Sequence, residues 1–160
     1  MKGKTAKESS VIIAQVMNPQ DANPAGNVHG GVIMKLIDTA AAVVATRHSR
    51  CNTVTASIDS LLFHNPIYIG DLVFFKSSLN MTGKTSMEIG VRVEAENLMT
   101  GEIRHSVSAY LTFVALDKDG RPTPVPPLNL ETDEERRRNK EAYERRKNRL
   151  EMRERYKKVG

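Results

Sequence analysis

Residues 32–47, VIMKLIDTAAAVVATR, decide how the rest of the chain must fold. No Pro or Gly interrupts them, and Ala40-Ala41-Ala42 favours helix. Apolar residues (Val32, Ile33, Leu36, Ile37, Val43, Val44) fall on nearly every side, so the pattern predicts a helix buried all round rather than a surface helix. One acidic residue, Asp38, sits in the apolar middle. Its neighbours one turn away are Met34, Lys35, Ala41 and Ala42, and the row Gly31, Lys35, Asp38, Ala42, Ala45 is mostly small. Small residues let another backbone or a ligand come close. A carboxylate in such a place is costly unless it is paired. It is either structural (an N-cap, an ion pair with Lys35, or an acceptor for a neighbouring strand) or chemical, and the helix alone leaves both readings open.

Outside this helix the globular part reads as strands. Ser9–Val16 carries Val11, Ile12, Ile13, Ala14 and Val16, and ends at the turn Asn18-Pro19. After the helix come Thr53–Phe63, Asp71–Met81, Ser86–Ala95 and Ile103–Leu116. The third of these alternates cleanly, with Met87, Ile89, Val91 and Val93 on one face and Glu88, Arg92 and Glu94 on the other. Turn residues Asn65-Pro66, Gly70, Gly83 and Gly101 separate them. Strand, buried helix, then four strands is satisfied by an α+β fold in which an antiparallel sheet wraps one long central helix.

The division expected is an N-terminal tail over residues 1–8, one domain over residues 9–120, a Pro-rich linker over residues 121–130, and a charged helix over residues 131–160. Carboxylates precede cations by four residues at Asp133/Arg137, Glu134/Arg138, Glu141/Arg145, Glu151/Arg155 and Glu154/Lys158, the spacing of a solvated helix outside the core. The charge follows this division. Of the formal +5, residues 131–160 contribute +4, with 12 Lys/Arg against 8 Asp/Glu. The domain itself is near neutral, which argues against a nucleic-acid footprint. No apolar run reaches the ~20 residues of a membrane span, and no signal-peptide pattern follows the basic Met1–Lys7. Cys51 is the only cysteine, which suits a reducing, cytoplasmic compartment.

Several chemistries are unsupported. His29, His48, His64 and His105 share no metal-ligand spacing, and no metal or other cofactor is expected. There is no G-x-S-x-G elbow. Cys51 reads as a small hydrophobe rather than a nucleophile. Gly83-Lys84-Thr85-Ser86 lacks the full phosphate-loop spacing and reads as a hairpin turn. The segment Gly26-Asn27-Val28-His29-Gly30-Gly31 is more suggestive. Glycines at a helix start expose N–H groups that can hold an oxyanion, although an ordinary loop capped by Asn27 would look the same.

Taken together, residues 18–38, NPQDANPAGNVHGGVIMKLID, resemble the signature of the hotdog-fold acyl-CoA hydrolases, the brain-type cytosolic enzymes and their single-domain bacterial relatives. The likeness continues through Arg47-His48, Thr53–Asp59, Phe63-His64, Lys84–Glu88, Ala109–Phe113 and the Pro-rich exit to Pro127. It implies an acyl-CoA thioesterase of hotdog fold, with a catalytic Asp at Asp38 and a catalytic Asn at Asn27. Gly30 and Gly31 would then form an oxyanion hole, and Lys84, Thr85 and Ser86 would contact CoA. Double-domain relatives split the Asp/Asn pair between two domains, whereas this chain holds both. The resemblance therefore implies a homodimer with shared sites, assembled further as a trimer of dimers. The rival expectation is a hotdog module that binds acyl-CoA without cleaving it, in a regulatory role; Asp38 and Asn27 speak against it, because mere binding needs no carboxylate at the thioester.

Overall fold

The computed structural model describes all 160 residues, Met1–Gly160. Strand β1 (Lys4–Thr5) and strand β2 (Val11–Val16) precede helix α1 (Gly30–Ser49). Then come β3 (Asn52–Phe63), β4 (Leu72–Thr82), β5 (Ser86–Glu96), β6 (Ile103–Leu116), β7 (Leu128–Asn129) and helix α2 (Asp133–Val159). Five strands form one antiparallel sheet in the order β2-β4-β5-β6-β3. The sheet curls around α1, as the strand–helix–four-strand order requires.

Alternation sets the two faces of the sheet. Val73, Phe75, Met87, Ile89, Val91, Val93, Val107, Leu111 and Phe113 point inward and are almost fully buried. They meet Ile33, Ile37, Ala40, Ala41, Val44 and Ala45 of α1 in one hydrophobic cluster. Each large side chain sealed there contributes about 1.5–3 kcal/mol of burial free energy. The alanines let the helix lie close to the strands.

The expectation that α1 is buried on every side is corrected. Only the face bearing the core residues is covered; Gly31, Met34, Lys35, Thr39 and Thr46 on the other flank are exposed. The sequence pattern registers apolar residues on both flanks, but one chain supplies a sheet for only one of them.

Strand β3 runs antiparallel along this uncovered flank. Phe63 Cζ lies 3.7 Å from where a Cβ of Gly30 would be, Thr55 bonds to Asp38, and the Thr46 and Thr53 hydroxyls are 3.1 Å apart. β3 is an edge strand, with breaks of register at Thr55/Ser57 and Ile58/Ser60. Beside it a strip of apolar side chains is exposed: Met34, Val54, Ile58, Leu62 at 61%, Phe63 and Tyr68.

The chain ends are tied down. Lys4 and Thr5 pair in parallel with Leu128 and Asn129, so tail and linker form a small ribbon. Lys4 Nζ donates to the His48 carbonyl at 2.7 Å, and the buried His48 ring meets the Pro126 carbonyl at 2.7 Å. A carbonyl only accepts, so Nε2 carries the proton, while Nδ1 is buried without a partner.

Helix α2 is no solvated arm, as its charge pattern alone predicts. It crosses the outer face of the sheet diagonally. Asn139 donates to the Asn80 carbonyl of β4, Arg145 grips Glu88 of β5 through two nitrogens at 2.7 and 3.1 Å, and Arg149 reaches Asp59 of β3 at 2.7 Å. Glu88 is 0% exposed and also accepts from Asn80. The Arg145 guanidinium lies 3.6 Å over the Tyr110 ring. No helix is long and apolar enough to cross a membrane.

Candidate active site

Asp38 sits on the uncovered flank of α1, half-buried. Of the structural explanations open to it, one is realised: Thr55 Oγ1 of β3 donates to its Oδ1 at 2.7 Å. Lys35 makes no ion pair with it, and Asp38 lies a full two turns inside the helix, far from any cap position. One oxygen is thus held by Thr55 while Oδ2 is uncommitted. The carboxylate faces an open groove of about 720 Å³ that continues along α1 past Thr39, Ala42, Val43 and Thr46 to Arg50 and Cys51. A fixed carboxylate with one free oxygen in a groove walled by small residues can take a proton from water or attack an electrophile.

The helix start lies elsewhere on the same flank. The loop before it is a small antiparallel structure, with bridges Ala22–Val28 and Asn27–Tyr68. Asn23 organises it, its Oδ1 accepting the amides of Ala25 and Asn27 at 3.0 and 3.1 Å. Gly26, at φ 88°, makes the turn that a side chain would strain. Asn27 is held by its backbone, and its side-chain amide bonds to nothing within the chain. The helix begins at Gly30, two residues earlier than its apolar run. His29 is the N-cap, its Nδ1 accepting the Gly31 amide at 2.9 Å.

The two glycine amides therefore differ. Gly31's is committed to His29, while Gly30's has no partner within the chain. Capping by His29, two residues ahead of Gly31, went unread in the sequence because histidine is not among the usual N-cap residues.

The other expected contacts fall at the end of the sheet away from the helix start. Gly83 N–H donates to the Ser86 carbonyl at 2.8 Å, closing the β4–β5 hairpin, with Lys84 exposed at its tip. Ser86 pairs with Val114, which pairs with Val54, next to Thr55. The hairpin and Thr55, the residue that holds Asp38, therefore share one end of the sheet, two strand spacings or about 10 Å apart across it. Cys51 is half-buried, its thiol turned to the Ser49 carbonyl at 3.5 Å. His64 and His105, 41 positions apart in the chain, come together with ring centroids 5.0 Å apart, a juxtaposition no local spacing reveals. Burial and the nearby Arg92 hold His105 below the ordinary imidazole range.

An antiparallel sheet curled on one helix, with a lone carboxylate midway along that helix and a glycine-rich entry to it, defines a thioesterase of hotdog fold. Residues 25–102 match the model of the thioesterase superfamily. The chain is 45% identical over 129 residues to YkhA of Bacillus subtilis, an uncharacterized acyl-CoA thioester hydrolase, covering 81% of this chain and 75% of that one. Its fold superposes on a hexameric acyl-CoA thioesterase with TM-score 0.92 at 37% identity, covering 95% and 97% of the two chains. It also superposes on the acyl-CoA hydrolase of Staphylococcus aureus solved with butyryl-CoA and CoA, with TM-score 0.90 at 33% identity, covering 98% and 95%. The chain belongs to the acyl-CoA thioester hydrolases of the thioesterase superfamily.

Proposed function

We propose that the protein hydrolyses acyl-CoA to a free fatty acid and CoA, at sites built jointly by two copies of the chain. The observation that carries this reading is Asp38: one oxygen fixed by Thr55, the other free in the groove. In the general-base form, Asp38 takes a proton from water as the water oxygen attacks the thioester carbon. The carbonyl electrons move onto oxygen, and the Gly30 N–H stabilises that charge. The Gly31 N–H joins it once the His29 ring swings away. Collapse expels CoA thiolate, which takes the proton back from Asp38. In the nucleophile form, Asp38 itself attacks, CoA thiolate leaves, and water cleaves the resulting anhydride. After a single turnover in ¹⁸O-water, label in Asp38 identifies an anhydride that water opens at the Asp38 carboxyl carbon, since the general-base route leaves none there. Both routes use side chains, amides and water alone.

Asn27, with its side-chain amide free, orients the water or the carbonyl. A second assignment has its own support. In the Staphylococcus aureus enzyme an aspartate, an asparagine fifteen positions before it and a threonine seventeen positions after it have each been replaced by alanine. Counted from Asp38, those spacings fall on Asn23 and Thr55. Asn27→Ala and Asn23→Ala, assayed separately, decide which asparagine acts.

Two copies are needed because the helix separates the parts. Gly30 and Asp38 are eight helical residues apart, about 12 Å along the axis at ~1.5 Å per residue. Pairing antiparallel helices across a two-fold axis brings the start of one near Asp38 of the other. The free edge of β3 and its apolar strip offer the surface for such a pair. By likeness to the hexameric thioesterase, three such dimers assemble. A reducing, cytoplasmic setting fits the single free Cys51.

Asp38→Asn tests the assignment. It should keep the fold and the Thr55 contact and lower hydrolysis of acyl-CoA about 10²–10⁴-fold. Full activity in this variant overturns it.

A further inference from the structure

The turn Tyr68-Ile69-Gly70-Asp71, between β3 and β4, is built around a buried charge. Asp71 N–H donates to the Tyr68 carbonyl at 3.1 Å, and Gly70, at φ 91°, supplies the positive φ that such a turn requires. The Asp71 side chain is 5% exposed and folds back into the turn. Its Oδ2 accepts two bonds, from the Tyr68 N–H at 2.9 Å and from Arg104 Nη2 at 2.8 Å. Arg104 stands on β6 opposite Ala95, so the sheet holds it from behind. Its Nε is buried without a partner, and Asp71 is the one acceptor its guanidinium bonds within the chain. A buried ion pair seldom stabilises a fold more than apolar side chains of the same volume would. This one stands where it fixes a geometry. On the other side of the turn lies the loop before α1. Asn27 bridges to Tyr68, Val28 N–H donates to the Ile67 carbonyl at 3.0 Å, and the Val28 and Ile67 side chains are both buried.

A continuous line thus runs from the sheet to the helix start: Arg104, Asp71, Tyr68, Asn27, then Gly30. From it we propose that Asp71 and Arg104 are positioning residues for hydrolysis. Through Tyr68 they fix the loop that carries Asn23 and Asn27 and delivers the Gly30 amide. The proposal rests on the reading of the protein as an acyl-CoA hydrolase. Asp38 has its own support in Thr55. The two sides of the site are therefore held separately, the carboxylate by β3 and the loop by a charge pair reaching across from β6.

The test uses the full chain. Asp71→Ala/Arg104→Met removes both charges together, so no unpaired charge stays buried, and it leaves the Tyr68 N–H without its acceptor. With an acyl-CoA substrate, kcat should fall about ten- to a hundredfold, the effect of a misplaced group, with KM within about twofold. Amide hydrogen exchange, followed by mass spectrometry, should quicken in residues 21–31 and 66–71 and stay unchanged in β5. Asp71→Asn/Arg104→Met returns an acceptor to Tyr68 and should recover part of kcat and part of the protection. Should the alanine variant not fold, the asparagine variant is set directly against wild type, with the same changes expected at smaller size. An unchanged kcat overturns the proposal, as does a loss carried by KM alone. Faster exchange throughout β5 overturns it too, since the pair would then support the whole fold. Failure of the broader reading looks different: the wild-type protein would cleave no thioester, and the exchange pattern would still decide whether the pair clamps the loop.

Discussion

Co-refolding two inactive variants, Asn23→Ala/Asn27→Ala and Asp38→Asn, should restore activity that neither has alone. The double loop variant disables the helix-start side of the site whichever asparagine acts. The reasoning is geometric. A base within ~3 Å of the attacking water and a donor within ~3 Å of the carbonyl oxygen, with those two oxygens ~3 Å apart, must lie within about 9 Å of each other around one thioester. Within a chain, Gly30 and Asp38 are about 12 Å apart along α1, and the two asparagines lie further back still. If each site takes its loop from one subunit and its Asp38 from the other, a mixed dimer gathers both lesions into one site and leaves the other intact. Random reassociation makes half the dimers mixed, each with one good site in two. The mixture should therefore show about a quarter of wild-type activity, measured as free-thiol release. Native mass spectrometry of variants differing in mass establishes that mixed dimers formed. If they form and the mixture stays inactive, each site belongs to a single chain and the shared-site model is refuted.

Two further outcomes bear on the scaffold. Arg145→Ala strips a fully buried carboxylate, Glu88, of its bidentate partner and should lower unfolding free energy by about 3–5 kcal/mol in urea titration; replacing both residues by Met should recover most of it, and a loss under about 1 kcal/mol means the ion pair does not clamp α2. His48 bears on pH. Burial holds its imidazole below the ordinary range, against the opposing bond to Pro126, so the folded chain keeps it neutral. As pH falls below about 6.5 the unfolded chain gains a proton that the folded chain refuses, and stability drops by up to about 1.4 kcal/mol per pH unit until the folded-state pKa is reached. His48→Gln should flatten that slope in urea midpoints between pH 7.5 and 5; equal slopes would show that another group sets the acid limit.

The architecture was legible because each element carries one clear period. The unbroken helix at residues 32–47 and four alternating strands leave few ways to bury their apolar faces, and the strands fall within a residue or two of the expected ends. What the sequence hid are partners that only folding brings together. Thr55 is 17 residues from Asp38 and on another element, so nothing local marks it as the group that holds the carboxylate. Glu88 reads as one of the polar residues on the solvent face of β5, yet α2 lies over it. The helix spacing rule foresaw Glu134–Arg138 but assigned Arg145 to Glu141, whereas Arg145 turns to the sheet and Glu141 pairs with Arg137. Counting i,i+4 pairs weighs each helix alone and cannot see a carboxylate from another element. The uncovered flank of α1 shows the converse: its apolar residues were visible, but nothing in the sequence says that a single chain leaves them uncovered.

The diagonal path of α2 also bears on how the molecule is made. Its anchors at Asn80, Glu88 and Asp59 lie 59, 57 and 90 residues back along the chain, so they can be used only after the strands are in place. During synthesis the sheet and α1 emerge first, while Glu88 is still in water and carries its charge at little cost. The ion pair is dehydrated only when α2 arrives and docks as a preformed or nearly preformed rod. A nascent chain halted before Arg145 therefore has a wet outer face, not a charge trapped in its interior. The order of translation spares the folding sheet the most expensive group it will later enclose.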